Sequence, residues 1–398
     1  MAPAHLDSPP AVVLGETGSA VSIARSLGRV GVPVYVLGSD GSSLPAASRY
    51  CTAFVELGGG EGVTQRWLDW LEQDGPSGAV LLPPGDEGVE LIVRHSERLE
   101  ELGYHLPETA GEVSLAMLDK TRTYELAREV GIPCPRTWQV RSEADAVRIG
   151  REVTFPCALK PVYSHLFAKH FQVKVLLARD GEELLAGIRR TRALGLEMLV
   201  TEIIPGPDHL TWSHRTYIDE RGEAHYSLTS QKLRSLPIHF GTNCYHVTRW
   251  HPEVAETGLR FVREVGLRGL ANTEVKRDPR DGQFKLIECN HRFTNTQEVL
   301  RRAGLDVALF VYRRALGQQT PPMDSWREDV HLWFPLRDWR AARDYRREGE
   351  LTWPGWLRSL ARRRVYTPVL ALDDPRPTFA NGWRKLSRRI LRRRSSIR

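Results

Sequence analysis

The chain of 398 residues contains no apolar run long enough to cross a bilayer, and its first residues, MAPAHLDSPPAVVLGETG, carry no charged segment ahead of an apolar core. Both absences point away from a membrane-spanning or secreted protein and toward the cytoplasm. Cysteine is scarce. Cys51, Cys134, Cys157, Cys244 and Cys289 are odd in number and lack C-x-x-C spacing, which argues against a disulfide framework and against structural zinc. His239, His246, His251 and His291 show no metal-ligand spacing either, and His291 falls on the core parity of its strand. Basic charge is missing from most of the chain. Of the net +7, thirteen Lys or Arg lie between Arg358 and Arg398 against only Asp373 and Asp374, so the remainder is net acidic. A basic tail on an acidic body is not a surface built to wrap nucleic acid, and no specific nucleic-acid partner is expected.

What is present begins with an α/β pattern. Residues 11–38 read as strand, glycine turn, amphipathic helix, Gly31 as helix stop, and a second strand, which opens a Rossmann-like layer. Gly15 and Gly18 fall short of G-x-G-x-x-G and no acid closes the second strand, so a tight turn is favoured over a nicotinamide site. A buried strand follows at 79–82, then Asp86 and Glu87 at the start of a helix. There they either favour the helix dipole or, in a sharper reading, face a substrate. Asp119-Lys120 opens another helix that stops at Gly131 ahead of Pro133 and Pro135, a domain boundary. A first-turn lysine opposes the helix dipole, which is understandable if Lys120 reaches a phosphate; a solvated lysine is the alternative. Lys160 ends the short strand of FPCALKP, and residues 172–177 form a strand able to pair with it. After a helix over 181–194, the strand beginning at Glu197 ends in a turn at Gly206. Beside Ile203 and Ile204 a strand-end backbone could meet an adenine edge, with Asp208 placed for ribose hydroxyls.

The stretch LANTEVKRDPRDGQFKLIECNHR, Leu270 to Arg292, commits the chain to chemistry. Two runs of period-2 alternation flank DPRDG, and a three-residue Arg280-Asp281-Gly282 loop puts Gly282 at a left-handed position. That register sets Val275 opposite Ile287 and Thr273 opposite Cys289 on a core face, and Glu274 opposite Glu288 and Asn272 opposite Asn290 on the other. Opposed carboxylates repel unless a cation lies between them or one takes a proton. Glu274, Glu288 and the Asn290 amide oxygen make an all-oxygen set suited to Mg²⁺, with Mn²⁺ as a substitute. Arg292 continues that face and could meet a phosphate bidentately. The alternative is an exposed hairpin with its glutamates in water. Upstream, Lys232 and Arg234 stand where they could stabilise a carboxylate or its phosphorylated form, or else face solvent at a strand edge.

In order, DK before a helix ending G-I-P-x-P, then FPxxLKP, TEIIPGPD, NTEVKRD and LIECNHR resemble the ATP-grasp superfamily, most of all its carboxylate-amine ligases, over roughly residues 11–320. The resemblance implies an α/β ATP-grasp fold: a Rossmann-like N-terminal domain (1–110), a small α+β lid (111–200), a larger α+β C-terminal subdomain with the hairpin (201–320), and an extra Trp/Arg-rich C-terminal segment (321–398). It implies that Lys120 and Lys160 hold the phosphates of ATP, Glu202, Ile203 and Ile204 the adenine and Asp208 the ribose. Glu274, Glu288 and Asn290 would bind Mg²⁺, and Arg292 would steady the acyl-phosphate. The implied substrates are a small carboxylate and an amine. One departure stands out: where the family has a glycine-rich loop over the γ-phosphate, VYSHLFAKHF has no glycine, so another device is needed, with Ser164, His165 or Lys169 as candidates. That loop also supports a rival, a nucleotide-binding protein without turnover. A second rival is a carboxylase activating bicarbonate.

After an apolar helix in AGLDVALFVYRRALGQ, Pro321-Pro322 marks a linker. In the tail, Phe379, Trp383, Leu386 and Ile390 fall on one helical stripe among basic residues. The stripe either packs on the protein's own body or meets an anionic membrane or polyanionic carrier.

Overall fold

The apolar run Ala11–Leu14 (β1) is buried at every residue, the mark of a strand covered on both faces. The structure, a computed structural model, describes residues 8–162, 167, 170, 171, 175–321 and 323–380. These divide into two units. The first holds the described residues of Met1–Gly111, His291–Leu332 and Arg364–Arg398; the second holds Glu112–Asn290 and Trp333–Arg363.

In the first unit β1, Val34–Gly38 (β2), Ala53–Glu56 (β3) and Val80–Leu82 (β4) form a sheet in the order β3-β2-β1-β4, every pair parallel. The helix Gly18–Gly28 (α1) makes the first crossover, and the chain reverses after it at Gly31, whose φ is +86°. Asp86 and Glu87 occupy the first turn of Asp86–Arg94 (α2). The apolar helix Val307–Ala315 packs on α1. This is the Rossmann-like layer foreseen from the sequence. Its glycine turn already holds an anion of its own: Glu16 accepts from the Ser39 hydroxyl (2.5 Å) and the Asp40 amide (3.4 Å). A dinucleotide pyrophosphate in that turn would meet a carboxylate.

The second unit carries two antiparallel sheets. The smaller, with order β5-β8-β6-β7, joins Thr137–Val140 (β5), Cys157–Pro161 (β6), Leu176–Ala178 (β7) and Met198–Glu202 (β8). Helices Glu143–Gly150 and Gly181–Arg192 cover it over a core that includes Ile149, Leu159, Ile188 and Val200. The larger joins Thr211–Ile218 (β9), Ala224–Leu236 (β10), Thr242–Thr248 (β11), Gly269–Arg277 (β12) and Phe284–Asn290 (β13) in the order β13-β12-β9-β10-β11. One face packs Trp212, Ala271, Val275, Leu286 and Cys289 against Lys120–Glu129 (α3) and Pro252–Glu264 (α4). Within the Trp/Arg-rich segment, Pro335–Arg347 (α5) packs on β10 and β11 through Ala341 and Tyr345. Of the tail stripe, Trp383, Leu386 and Ile390 lie outside the described residues, while Phe379 is exposed. No described helix is long and apolar enough to cross a membrane.

The packing of α4 on β9 has a measurable consequence. Gly258 sits so close to His214 that a Cβ there would lie 2.5 Å from Nδ1, and the imidazole is wholly buried with Nε2 at 2.9 Å from the Ser227 hydroxyl. Burial pushes the His214 pKa down to about 3 from 6.5. Between these values the unfolded chain binds a proton that the folded chain refuses, so the stability is complete above the unfolded value and falls by about 1.4 kcal/mol per pH unit below it. Urea unfolding between neutral pH and about pH 5 should show this slope. In His214→Gln it should flatten; an unchanged slope would mean that other groups set it.

Candidate active site

The hairpin register near the carboxylates is the one the alternation requires: Asn272 lies opposite Asn290, Thr273 opposite Cys289 and Glu274 opposite Glu288. Toward the turn it differs. Val275 pairs with Leu286 rather than Ile287, because the loop spans four residues, 279–282, and Ile287 is an extra residue in β13. The Asp278 amide bonds the Gln283 carbonyl (2.8 Å), and the Asp278 carboxylate takes Arg280 Nε (2.8 Å) and Lys285 Nζ (2.6 Å), which closes the turn one residue early. Gly282 does adopt the left-handed conformation, with φ +75°. The bulge at Ile287 restores the register, and the Tyr124 hydroxyl donates to the Ile287 carbonyl (2.7 Å).

Strands alternate, so one face of the large sheet is core and the other gathers polar side chains. Ser213 and Arg215 on β9 lie opposite Glu274 and Asn272, and Ser230 and Lys232 on β10 share their parity. Lys232 Nζ is 3.0 Å from Glu274 Oε1, and the Glu274 side chain is only 15 % exposed. Burial works against the Lys232 charge, yet the attraction and hydrogen bond of Glu274 hold its pKa above the usual value. Lys232 therefore supplies part of the positive charge that the opposed glutamates call for. Asn290 Nδ2 donates to Glu288 Oε1 at 3.1 Å.

Lys160 on β6 bonds the Tyr124 hydroxyl at 3.2 Å. Burial pulls its pKa down, and the Glu288 and Glu274 carboxylates oppose that pull. Lys160 and the hairpin carboxylates thus share one electrostatic environment. Arg215, which sequence reasoning missed, is buried with Nη1 on the Ser230 hydroxyl (2.6 Å); burial lowers its pKa to about 10, and it stays charged at neutral pH. Its only signal was polar parity within WSHRTY. Tyr124 was likewise unforeseen. Tyr124→Phe leaves the Ile287 carbonyl without this donor and Lys160 without its partner, and should lower stability by about 1–3 kcal/mol in thermal unfolding. A melting temperature equal to that of the unmodified chain would remove Tyr124 from this role.

The donor set suits a hard cation. Glu274, Glu288, Asn272 and Asn290 offer oxygen only, and Asn272 Oδ1 is buried without a hydrogen-bond partner among the described residues. An orphaned buried oxygen beside two carboxylates is relieved by a divalent ion.

The other expected positions are distributed as follows. Lys120 is the first residue of α3, behind the cap Asp119, whose carboxylate accepts from the Thr121 amide at 2.7 Å. Glu202 ends β8, with its carboxylate on Arg280 Nη1 (2.6 Å) and the Arg136 amide (3.1 Å); Ile203 and Ile204 follow as the strand stops. Asp208 is buried, and its Oδ2 accepts from Ser235 Oγ (2.7 Å), the His239 amide (3.2 Å) and the Tyr345 hydroxyl. A ribose would have to displace Tyr345 or use the other oxygen. Arg234 is bound bidentately by Asp338 (2.6 and 2.9 Å), donates to Ser359 (3.0 Å) and stacks on Tyr245, so its donors serve the packing of α5. Arg292, in the first unit, pairs through Nε with Asp86. Ser164, His165 and Lys169 lie outside the described residues, as do residues 172–174 of the strand expected at 172–177; strand is seen at Leu176–Ala178 (β7), with Cys157 opposite Ala178.

No family model matches the chain. It is 28 % identical over 242 residues to a D-aspartate ligase of Enterococcus faecium, an overlap of 58 % of this chain and 57 % of that one. The chain therefore spans little more than half the length of this curated relative. Among solved structures, the biotin carboxylase domain of 2-oxoglutarate carboxylase from Hydrogenobacter thermophilus, in complex with MgADP, ADP and bicarbonate, superposes with TM-score 0.63 at 17 % identity, covering 80 % of this chain and 73 % of that one. An L-amino acid ligase from Bacillus licheniformis superposes with TM-score 0.61 at 16 % identity, covering 77 % and 74 %. These likenesses show the fold, and it is the one that the order of motifs implied.

Proposed function

We propose, on the premise that the chain has the ATP-grasp fold, that it is an ATP- and Mg²⁺-dependent ligase joining a small carboxylate to an amine through an acyl-phosphate. The observation that carries this reading is the half-buried carboxylate pair Glu274 and Glu288, in register on the hairpin, in one electrostatic environment with Lys160 and Lys232. The named ligase relatives support the reaction class.

In this reading Lys120 and Lys160 bind the nucleotide phosphates, and Glu202, Ile203, Ile204 and Asp208 border the nucleoside. Glu274, Glu288 and Asn290 would hold Mg²⁺, which when bound neutralises phosphate charge. A carboxylate oxygen of the first substrate attacks the γ-phosphorus and ADP leaves; Lys160 and Lys232 offset the charge that accumulates. The amine then attacks the acyl carbon, loses a proton and expels phosphate, so an amide, ADP and phosphate are the products. Arg292 is given the acyl-phosphate oxygens. The protein is placed in the cytoplasm, and contact of the basic tail with an anionic membrane or carrier stays a proposal from sequence alone.

The acyl-phosphate is tested by isotope transfer. With ¹⁸O in the substrate carboxylate, one labelled oxygen should appear in the released phosphate. Unlabelled phosphate would exclude this route, and ADP release that depends on bicarbonate instead of an amine would move the assignment to a carboxylase.

A further inference from the structure

The C-terminal helices carry a surface that the proposed ligation does not use. On α5 the buried residues are Asp338, Ala341, Ala342 and Tyr345. Helical spacing then turns Leu336, Trp339, Arg340, Arg343, Arg346 and Arg347 outward, and all six are exposed. Leu336 is 59 % exposed and Trp339 44 %. The following helix Trp353–Leu360 (α6) has no buried residue at all, and its Leu357 is 61 % exposed.

Charge on this surface is one-sided. Between Pro335 and Arg363 there are eight arginines and four acids. Asp338 is buried against Arg234, and Asp344 pairs with Arg347 at 3.2 Å. Among the described residues Arg340, Arg343 and Arg346 pair with no carboxylate. Arg343 instead lies over the Trp339 ring (5.2 Å) and Arg346 over the Trp353 ring (5.7 Å). Arginines left without counter-charges repel one another, and a protein that needed only solubility would place acids among them. An anionic partner removes the repulsion. Exposed Trp and Leu between the arginines select which kind: an indole belongs at the boundary of headgroups and acyl chains, where the guanidinium groups meet phosphates. A nucleic acid would use a groove-reading or base-stacking module, which this helix pair is not.

We propose that the outer face of α5 and α6 docks on an anionic phospholipid surface, with Leu336, Trp339 and Leu357 entering the interfacial layer and Arg340, Arg343 and Arg346 on headgroup phosphates. The docking is independent of the residues assigned to ligation. It also differs from contact by the distal tail, since it lies on helices packed to the large sheet.

The test is co-sedimentation of the full chain with vesicles of phosphatidylglycerol and phosphatidylcholine, beside vesicles of phosphatidylcholine alone. The intact chain should bind the anionic vesicles and leave the neutral ones. The triple variant Arg340→Glu, Arg343→Glu, Arg346→Glu should lose about tenfold or more of that partition, given what each basic residue contributes near headgroups. Trp339→Ala, which keeps every charge, should lose a smaller share. Both variants should keep the far-ultraviolet dichroism of the parent, and removal of residues 381–398 should leave binding measurable. Four results overturn the proposal: no binding by the intact chain, unchanged binding by the triple variant, complete loss on removing residues 381–398 alone, or tighter binding of a single-stranded oligonucleotide than of the anionic vesicles.

Discussion

Glu288→Gln should lower ADP formation by about 10²–10³-fold, the size of effect typical of removing one member of a preorganised charge-stabilising set, here because a carboxylate proposed to hold Mg²⁺ is lost. Glutamine has the shape of glutamate and can still accept from Asn290 Nδ2, now at 3.1 Å, so the hairpin should keep its register. What disappears is one of two negative charges that act on Lys160 and Lys232. Lys160 is half-buried and feels that charge, and without it the ammonium is harder to keep protonated. Steady-state kinetics with a coupled ADP assay reads the loss, and unchanged thermal unfolding shows that it is not one of folding. Rates equal to the unmodified chain would mean that the carboxylate pair is not the centre of the site.

Asp338→Ala should destabilise the second unit by about 3–5 kcal/mol, because it leaves a buried guanidinium without its counter-charge. Asp338 is fully buried and accepts from Arg234 through two bonds, from Trp333 Nε1 at 3.0 Å and from Trp356 Nε1 at 2.8 Å. One carboxylate thus ties β10 to α5 and α6. Removing both charges is milder than removing one. The double change Asp338→Leu with Arg234→Met should therefore recover part of the loss in denaturant unfolding. A loss below about 1 kcal/mol in the single variant would place Asp338 among surface pairs.

These two predictions draw on parts of the site that differed in how far the sequence disclosed them. The opposed glutamates were legible because strand alternation and a turn are local, and Gly282 marks the left-handed turn position in either loop length. The bulge was not, since what favours an extra residue at Ile287 is a hydroxyl 163 positions away on Tyr124. The same limit explains Asp208 and Arg234. Their spacing fitted ribose and carboxylate contacts, but Tyr345 and Asp338, 137 and 104 residues distant, engage them. A Trp/Arg-rich segment shows in composition; which of its few acids is buried does not. Arg215 illustrates the reverse case. It stood on the polar parity of a strand that could have been phased, yet the pairing that brings it opposite Asn272 is a non-local register. The first unit was the most readable, because continuous apolar strands and a glycine-stopped helix specify a parallel layer with little ambiguity.

The activity itself is tested most directly by a coupled ADP-release screen of the intact chain over small carboxylic acids and amines with Mg²⁺, with mass analysis of each product. The account predicts ADP release only when an acid and an amine are both present, and one product whose mass is that of the two together less water. ADP release with bicarbonate and a product gaining a carboxyl group, or nucleotide binding with no release across the panel, would contradict it.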